Sequence, residues 1–239
     1  MFPIQNIKHY FSICKKSVSS VFLFVMVTLT LILNIPNGYA GEIFTKFPDP
    51  VNPQGKYVFY SHGFIVEGTN PTPKHPRFGV YQFPDIKKAL AGSDFNLIAY
   101  HRPAQTKVGE FSRKLADDVR RLIADGVDPA NITLMGFSKG GIITAFTASN
   151  LSLRKINVIL LASCGGWIDS QPDIMLAGNI LSIYETSDRF GSCQTLINRS
   201  KKVTSFKEIA ISTGKEHGAF FTPRKEWVEP VLNWINSRP

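Results

Sequence analysis

Ser138 stands in a pattern that is typical of a nucleophilic serine. It lies between two glycines, Gly136 and Gly140, in the spacing Gly-x-Ser-x-Gly. The apolar segment 132–137 predicts a short buried strand, and residues 139–150 predict a helix. The serine therefore stands at a sharp turn, where larger residues than glycine would collide with the neighbouring backbone. Such a turn presents the hydroxyl for attack on a carbonyl carbon, although the short pattern also occurs at ordinary strand–helix junctions.

The surrounding residues carry a resemblance to a known superfamily. The segment Asp-Pro-Ala-Asn-Ile-Thr-Leu-Met-Gly-Phe-Ser-Lys-Gly-Gly, residues 128–141, resembles the nucleophile elbow of α/β-hydrolases, which include serine esterases, lipases, thioesterases and peptidases. The resemblance extends from about Lys56 to the C-terminus in the order of elements and motifs. It implies a single-domain α/β fold with a mostly parallel sheet, helices on both faces and no large cap domain. It also implies that the backbone N–H of Lys139 helps to hold an oxyanion.

The resemblance further implies a base and an acid in the chain order serine, acid, histidine. Of the five histidines, His217 alone follows Ser138, and it stands just after the last expected strand. Asp188 follows the strand before that one and is the expected acid. Asp169 and Asp173 follow an earlier strand, where some members of the superfamily carry the acid, and they remain alternatives.

A second loop is expected to face the same site. His62 and Gly63 follow an expected strand, at the position where α/β-hydrolases often carry a His-Gly pair. By this resemblance the backbone N–H of Phe64 is the second oxyanion donor. His62 and Arg102 both lie at expected strand ends and are candidate contacts to the substrate. The plainer interpretations are that His62 anchors its loop through hydrogen bonds and that Arg102 is a solvated loop charge.

Hydrophobic patterning predicts the elements that position these residues. Strands and helices are expected to alternate, which favours a parallel sheet that is covered on both faces. About sixteen residues separate the strands near Ala162 and Ile180, too few for a helical cap. The segment 41–55 is expected to be an irregular or edge segment, and 69–83 a long loop beside the site. The predicted strands are 56–60, 95–100, 132–137, 156–162, 179–184 and 205–212, and the predicted helices are 84–91, 110–125, 139–150 and 227–235.

Two cysteines lie beyond the N-terminal segment, at Cys164 and Cys193. They follow strands that are neighbours in the α/β-hydrolase sheet, so a disulfide between them is expected if the protein is exported. It would close a loop of about thirty residues and add roughly 3–4 kcal/mol to stability in the chain-entropy model. Two free buried thiols are the alternative.

Residues 1–40 differ in character from the rest of the chain. Three lysines precede the strongly apolar segment 18–35, and small residues follow at Gly38 and Ala40. This order is typical of a signal peptide that is cleaved near Ala40, and it predicts a periplasmic or secreted protein whose domain is 41–239. An uncleaved membrane anchor is the alternative, and only that case implies a membrane partner.

Composition limits the remaining function classes. The chain has 239 residues, 44% of them hydrophobic, which suits one domain. Its formal charge of +9 falls to +6 without the three lysines of residues 1–40, but no basic run with interleaved aromatic residues indicates nucleic-acid binding.

We expect an exported serine hydrolase that cleaves a small-molecule ester or thioester through an acyl-enzyme on Ser138, without a metal or cofactor. A peptidase or acyltransferase with the same residues and a binding protein without turnover are the alternatives. The oligomeric state is not indicated.

Overall fold

The computed structural model describes residues 41–92 and 94–237. The predicted signal peptide, residues 1–40, lies outside the described residues, so its cleavage stays a prediction. In the described ranges, every helix is too short or too polar to cross a membrane.

A seven-stranded sheet lies at the centre of the described domain. Its neighbouring strands all run parallel. The strands of the domain are β1 (Ile43–Phe44), β2 (Tyr57–Ser61), β3 (Lys74–His75), β4 (Gly79–Val80), β5 (Asn96–Ile98), β6 (Ile132–Phe137), β7 (Asn157–Leu161), β8 (Ala177–Glu185) and β9 (Lys202–Ile211). The sheet order is β1-β5-β2-β6-β7-β8-β9, and β3 and β4 form a separate antiparallel pair.

Helices cover both faces of this sheet. They are α1 (Phe83–Leu90), α2 (Val108–Ala124), α3 (Lys139–Leu151), α4 (Gln194–Arg199) and α5 (Lys225–Asn236). Successive strand residues point to opposite faces, so Val58 packs in the same apolar cluster as α1 and α5, whereas Phe59 packs with α2, α3 and α4. The predicted α/β fold, with a parallel sheet between two helical layers, is confirmed.

Four short elements, three strands and one helix, were not predicted as such. The segment expected to be irregular or an edge contains β1, which pairs Ile43 with Leu97 at one end of the sheet. The long loop 69–83 contains the β3–β4 hairpin, and α4 has only six residues. Strands of two residues and a helix of fewer than two turns are too short to show hydrophobic periodicity, so contacts with the rest of the fold decide their structure.

The strand order brings the predicted site residues to one edge of the sheet. Because all strands of the sheet run the same way, their carboxyl ends lie at the same edge, where ligands bind in open α/β folds. Ser138 follows β6, Asp188 follows β8 and His217 follows β9. The connection from β7 to β8 has turns and bends without a helix, so no helical cap is built there.

The two cysteines are bonded to each other. Cys164 and Cys193 form a disulfide with their Cα atoms 5.0 Å apart, as predicted. Both are buried. The bond joins Cys164, in the loop after β7, to Cys193, the residue that precedes α4. Cys193 lies five residues after Asp188.

We expect loss of this disulfide to lower both the melting temperature and kcat. Closure of a loop between residues 29 positions apart accounts for roughly 3–4 kcal/mol in the chain-entropy model. A looser loop would also misalign Asp188, the expected acid, and misplacement of a catalytic group by about 1 Å can cost around a hundredfold in rate. Thermal melting and kinetics of reduced and oxidised protein measure both effects. A non-reduced digest in which both thiols are free would contradict the pairing.

Candidate active site

Ser138 lies at a strained turn between β6 and α3. Its backbone has φ 54° and ψ −123°, a region that residues other than glycine rarely adopt. Its N–H donates to the Leu161 carbonyl over 3.0 Å, and its carbonyl accepts from the Ile142 N–H over 3.0 Å. Hydrogen bonds to the sheet and to the helix therefore hold the serine in this conformation, and such strain is concentrated at functional sites.

The two glycines of the pattern are required by close backbone packing. A Cβ on Gly136 would overlap the carbonyl of Gly140. A Cβ on Gly140 would overlap the carbonyl of Ser61, at the end of β2. The predicted steric need for both glycines is confirmed, and the contact brings the loop after β2 directly against the turn.

His217 is hydrogen bonded to Asp188. The histidine lies in a short 3-10 helix, Glu216–Phe220, after β9, and its Nδ1 is 2.6 Å from Oδ2 of Asp188. The Asp188 side chain is 3% exposed and that of His217 is 15% exposed, so the pair is largely shielded from water. The two other candidate acids, Asp169 and Asp173, form no hydrogen bond with His217 in the described part of the chain. The fold thus brings Asp188 to the histidine.

Aromatic rings surround the imidazole of His217. Its ring centroid is 4.6 Å from that of Phe137, the residue before Ser138, and 4.8 Å from that of Phe190. Phe78, from the β3–β4 hairpin, lies 6.3 Å away. The hydrogen bonds of residues 94–237 include none between the Ser138 hydroxyl and His217. In unliganded enzymes such bonds are often long and tighten only with substrate.

Glu185, which the sequence analysis did not single out, links the acid loop to the histidine loop. It is the last residue of β8 and is fully buried. Its Oε2 accepts from the N–H of Ser187 at 2.7 Å and from the Ser187 hydroxyl. Its Oε1 accepts from the N–H groups of Thr213 at 2.8 Å and Gly214 at 3.1 Å. One carboxylate therefore holds together the loops that carry Asp188 and His217.

These bonds set the charge of Glu185. Burial alone would raise the pKa of this carboxyl, but the hydrogen bonds from Ser187, Thr213 and Gly214 outweigh it and hold the pKa below its usual range. Because the pKa is lower in the folded protein, the ionised carboxylate stabilises the fold at pH values above the usual glutamate pKa of about 4.3. This stabilisation is lost as the pH falls through the lower folded pKa.

We expect Glu185→Gln to lower the free energy of unfolding at neutral pH by about 1.5–3 kcal/mol, because an amide turns an NH₂ group toward N–H donors. In wild type, part of the fall in the free energy of unfolding below about pH 4.3 comes from protonation of this carboxylate, and the variant should lack that part. Urea unfolding at several pH values measures both effects. An acid dependence identical to wild type would contradict this role for Glu185.

The two predicted oxyanion donors lie on segments that touch each other. Lys139 is the first residue of α3, so its N–H has no partner within the helix. Phe64 begins a 3-10 helix, Phe64–Val66, and the residue is 64% exposed. A Cβ on Gly63 would lie 3.0 Å from the ring of Phe137, so this loop packs closely on the end of β6.

The structure does not support His62 as a candidate contact to the substrate. His62 is fully buried, and its Nε2 accepts from the Arg102 N–H at 3.0 Å while its Nδ1 donates to the Gly63 carbonyl at 2.8 Å. Burial, followed by the nearby Arg102 charge, lowers the pKa of His62 to about 2, so the ring is neutral. His62 anchors its loop, which was the plainer interpretation of the sequence.

Arg102, the other candidate contact to the substrate, is also enclosed by the protein and is not a solvated loop charge. Arg102 is 0% exposed. Its Nε is 3.4 Å from Glu67 Oε1, and its Nη2 donates to the His62 carbonyl at 2.5 Å. The sequence showed the strand end but not the buried carboxylate that pairs with the guanidinium. The side chain of Lys139 pairs with the same carboxylate, at 2.8 Å.

No metal centre is arranged in the described ranges. Among residues 41–92 and 94–237, no three or more His, Cys, Asp or Glu side chains are placed to hold a metal ion.

Comparison with known proteins identifies the fold. No family model and no curated protein matches the sequence. The crystal structure of SOBER1 from Arabidopsis thaliana matches with a TM-score of 0.52 and 16% identity, over 76% of this chain and 97% of that chain. A single-residue variant of SOBER1 gives a TM-score of 0.53 and 14% identity, over 75% and 98%. A YdeN-like hydrolase from Pectobacterium atrosepticum gives 0.49 and 14%, over 77% and 91%. This chain has the α/β-hydrolase fold, as its resemblance to that superfamily predicted.

Proposed function

We propose that this protein is a serine hydrolase that cleaves a carboxylic ester or thioester through an acyl-enzyme on Ser138. The observation that carries the proposal is the 2.6 Å contact between His217 Nδ1 and Asp188 Oδ2, at the same sheet edge as a serine in a strained turn. A nucleophile, a base and an orienting carboxylate are the groups that such a reaction requires.

The proposed reaction begins with His217 in its neutral form. Asp188 accepts the Nδ1–H, which leaves the lone pair on Nε2 free to take a proton from Ser138. As the proton leaves, Oγ attacks the carbonyl carbon, and the backbone N–H groups of Phe64 and Lys139 stabilise the negative oxygen. His217 then protonates the leaving alcohol or thiol, and an acyl-enzyme remains. Water, activated by the same imidazole, attacks the acyl carbon and releases the acid and the free serine.

The substrate proposed is a small molecule with an apolar part. Phe137, Phe190 and Phe78 surround the imidazole, and the exposed ring of Phe64 stands beside a predicted oxyanion donor. Aromatic side chains offer large apolar contact surfaces to an acyl chain or leaving group. The positive charges of Arg102 and Lys139 give little support to an anionic substrate, because both pair with Glu67.

Export is proposed on two grounds. Residues 1–40 have the order of charges, apolar residues and small residues that is typical of a signal peptide. The disulfide between Cys164 and Cys193 supports an oxidising compartment, such as the periplasm or the extracellular space. N-terminal sequencing of fractionated protein tests this proposal, and an intact N-terminus in the membrane fraction would indicate an anchor instead.

One assay tests the hydrolase proposal against a binding protein without turnover. A fluorophosphonate probe should label the wild-type protein at Ser138, because only an activated serine reacts at a useful rate. A series of p-nitrophenyl esters of increasing acyl length should then show which chain the site accepts. Protein that is folded but neither labelled nor active on any ester or thioester would support the binding protein.

A further inference from the structure

We propose that Glu67 is a positioning residue that holds both oxyanion donors through one buried charge network, formed by Lys139, Glu67 and Arg102. The inference rests on the proposed function, since it concerns the N–H groups of Phe64 and Lys139. Neither Glu67 nor the link between the two donors follows from the motif pattern.

The first half of the network fixes Lys139. The Nζ of Lys139 is 2.8 Å from Oε1 of Glu67 and 2.9 Å from its Oε2. It also donates to the Thr106 carbonyl at 2.6 Å. The side chain of Glu67 is 2% exposed and that of Lys139 is 20% exposed. The residue that carries the first oxyanion N–H is therefore tied by its side chain to the loop that carries the second.

The second half of the network fixes the peptide that contains the Phe64 N–H. Glu67 holds the guanidinium of Arg102, whose Nη2 lies 2.5 Å from the His62 carbonyl and 3.5 Å from the Gly63 carbonyl. The Gly63 carbonyl also accepts from Nδ1 of His62 at 2.8 Å. In a trans peptide the C=O and the following N–H point in opposite directions. The donors that bond to the Gly63 oxygen keep this oxygen pointing into the protein. The Phe64 N–H, on the same peptide, therefore points away from the protein interior.

Stability alone is a poor reason for such a network. Removal of charges from water costs several kcal/mol per ion, and a buried ion pair often adds little over apolar residues of the same volume. A transition state, in contrast, depends strongly on the placement of its donors: loss of one oxyanion donor costs about 10²–10³-fold in kcat. The network joins Lys139 to Glu67 across 72 positions and Glu67 to Arg102 across 35 positions of sequence. It thus couples the two donors, which no local turn could do.

The test uses two variants and a matched control. Glu67→Gln keeps the shape of the side chain but removes the charge that holds both cations. Lys139→Met removes one cation and keeps the backbone N–H of residue 139 in place. Asp118→Asn, on α2, neutralises a carboxylate that pairs with Lys114 at 2.6 Å outside the network, and serves as the control.

We expect kcat to fall about 10–100-fold in Glu67→Gln and Lys139→Met, with KM changed less than about threefold, because the donors act on the transition state and not on the bound ester. The inhibition constant for phenylboronic acid, whose tetrahedral adduct resembles the transition state, should rise by the same factor as kcat falls. Lys139→Arg, which keeps the cation, should recover part of kcat. Asp118→Asn should behave as wild type.

Each outcome decides the proposal. Wild-type kcat in the folded variants would overturn it, as would an equal loss in Asp118→Asn or a change in KM alone. Circular dichroism and melting show whether a variant is folded; if Glu67→Gln does not fold, Lys139→Met, which leaves Glu67 paired with Arg102, decides alone. A wild-type protein that fluorophosphonate does not label would overturn the proposed function, and this inference with it. A labelled wild type with unaffected variants would overturn the inference alone.

Discussion

Replacement of Ser138 by alanine is expected to abolish probe labelling and to lower kcat by on the order of 10⁶-fold, the loss seen when a serine protease loses its nucleophile. The reason is that no other group forms the acyl-enzyme. The fold should survive, because the backbone N–H and C=O of Ser138 make the bonds that hold the turn and both remain in the variant. Kinetics with the best p-nitrophenyl ester and thermal melting measure the two parts of this expectation.

A matched control separates the loss of this hydroxyl from the loss of any serine. Ser170, in the loop after β7, is exposed and its hydroxyl donates only locally, to the Trp167 carbonyl at 2.7 Å. Ser170→Ala should therefore keep wild-type labelling and kcat. Full ester hydrolysis by Ser138→Ala would rule out the mechanism.

Replacement of Asp188 by asparagine is expected to lower kcat by about 10⁴-fold, the loss seen when the buried acid of a serine-protease triad is neutralised. An amide at this position can present N–H to Nδ1 of His217, which favours the tautomer with the proton on Nε2. That tautomer cannot accept the proton of Ser138. Substrate binding does not use the carboxylate, so KM should change little, and the ratio of kcat to KM should fall with kcat.

Asp169→Asn and Asp173→Asn are the controls for the choice of acid. Both residues lie in the connection between β7 and β8, and neither is bonded to His217 in the described chain. The kcat of both variants should stay near that of wild type. A loss of about 10⁴-fold in either variant, with activity kept in Asp188→Asn, would show that the acid lies elsewhere.

Local sequence patterns determined the elements and the order of the site residues. The apolar segments before Ser138 and after Asn150 predicted β6 and β7, because a buried parallel strand is a short continuous apolar run. The Gly-x-Ser-x-Gly spacing between an apolar strand and a helix predicted the turn at Ser138, although the close contact that requires Gly140 is with Ser61, at the end of another strand. To identify His217 as the candidate base, only the chain order that the resemblance implied was needed.

The disulfide partners could also be predicted, since the resemblance placed their strands side by side. The resemblance favoured Asp188 over Asp169 and Asp173 as the acid. The residues alone could not show which of these side chains contacts His217, because that depends on which loop reaches the histidine across the sheet edge.

Only the tertiary structure decided which charged side chains are buried and with what they pair. His62 and Arg102 were candidate contacts to a substrate, yet 40 positions apart in sequence they bond to each other inside the protein. Glu67 and Glu185 look like ordinary acidic loop residues, but each carboxylate joins two segments of the site. A local pattern records the apolar side chains that a strand or helix buries. The pairing of a long charged side chain depends instead on which distant segment the fold places beside it, because only a partner close in space can offset the cost of removing its charge from water.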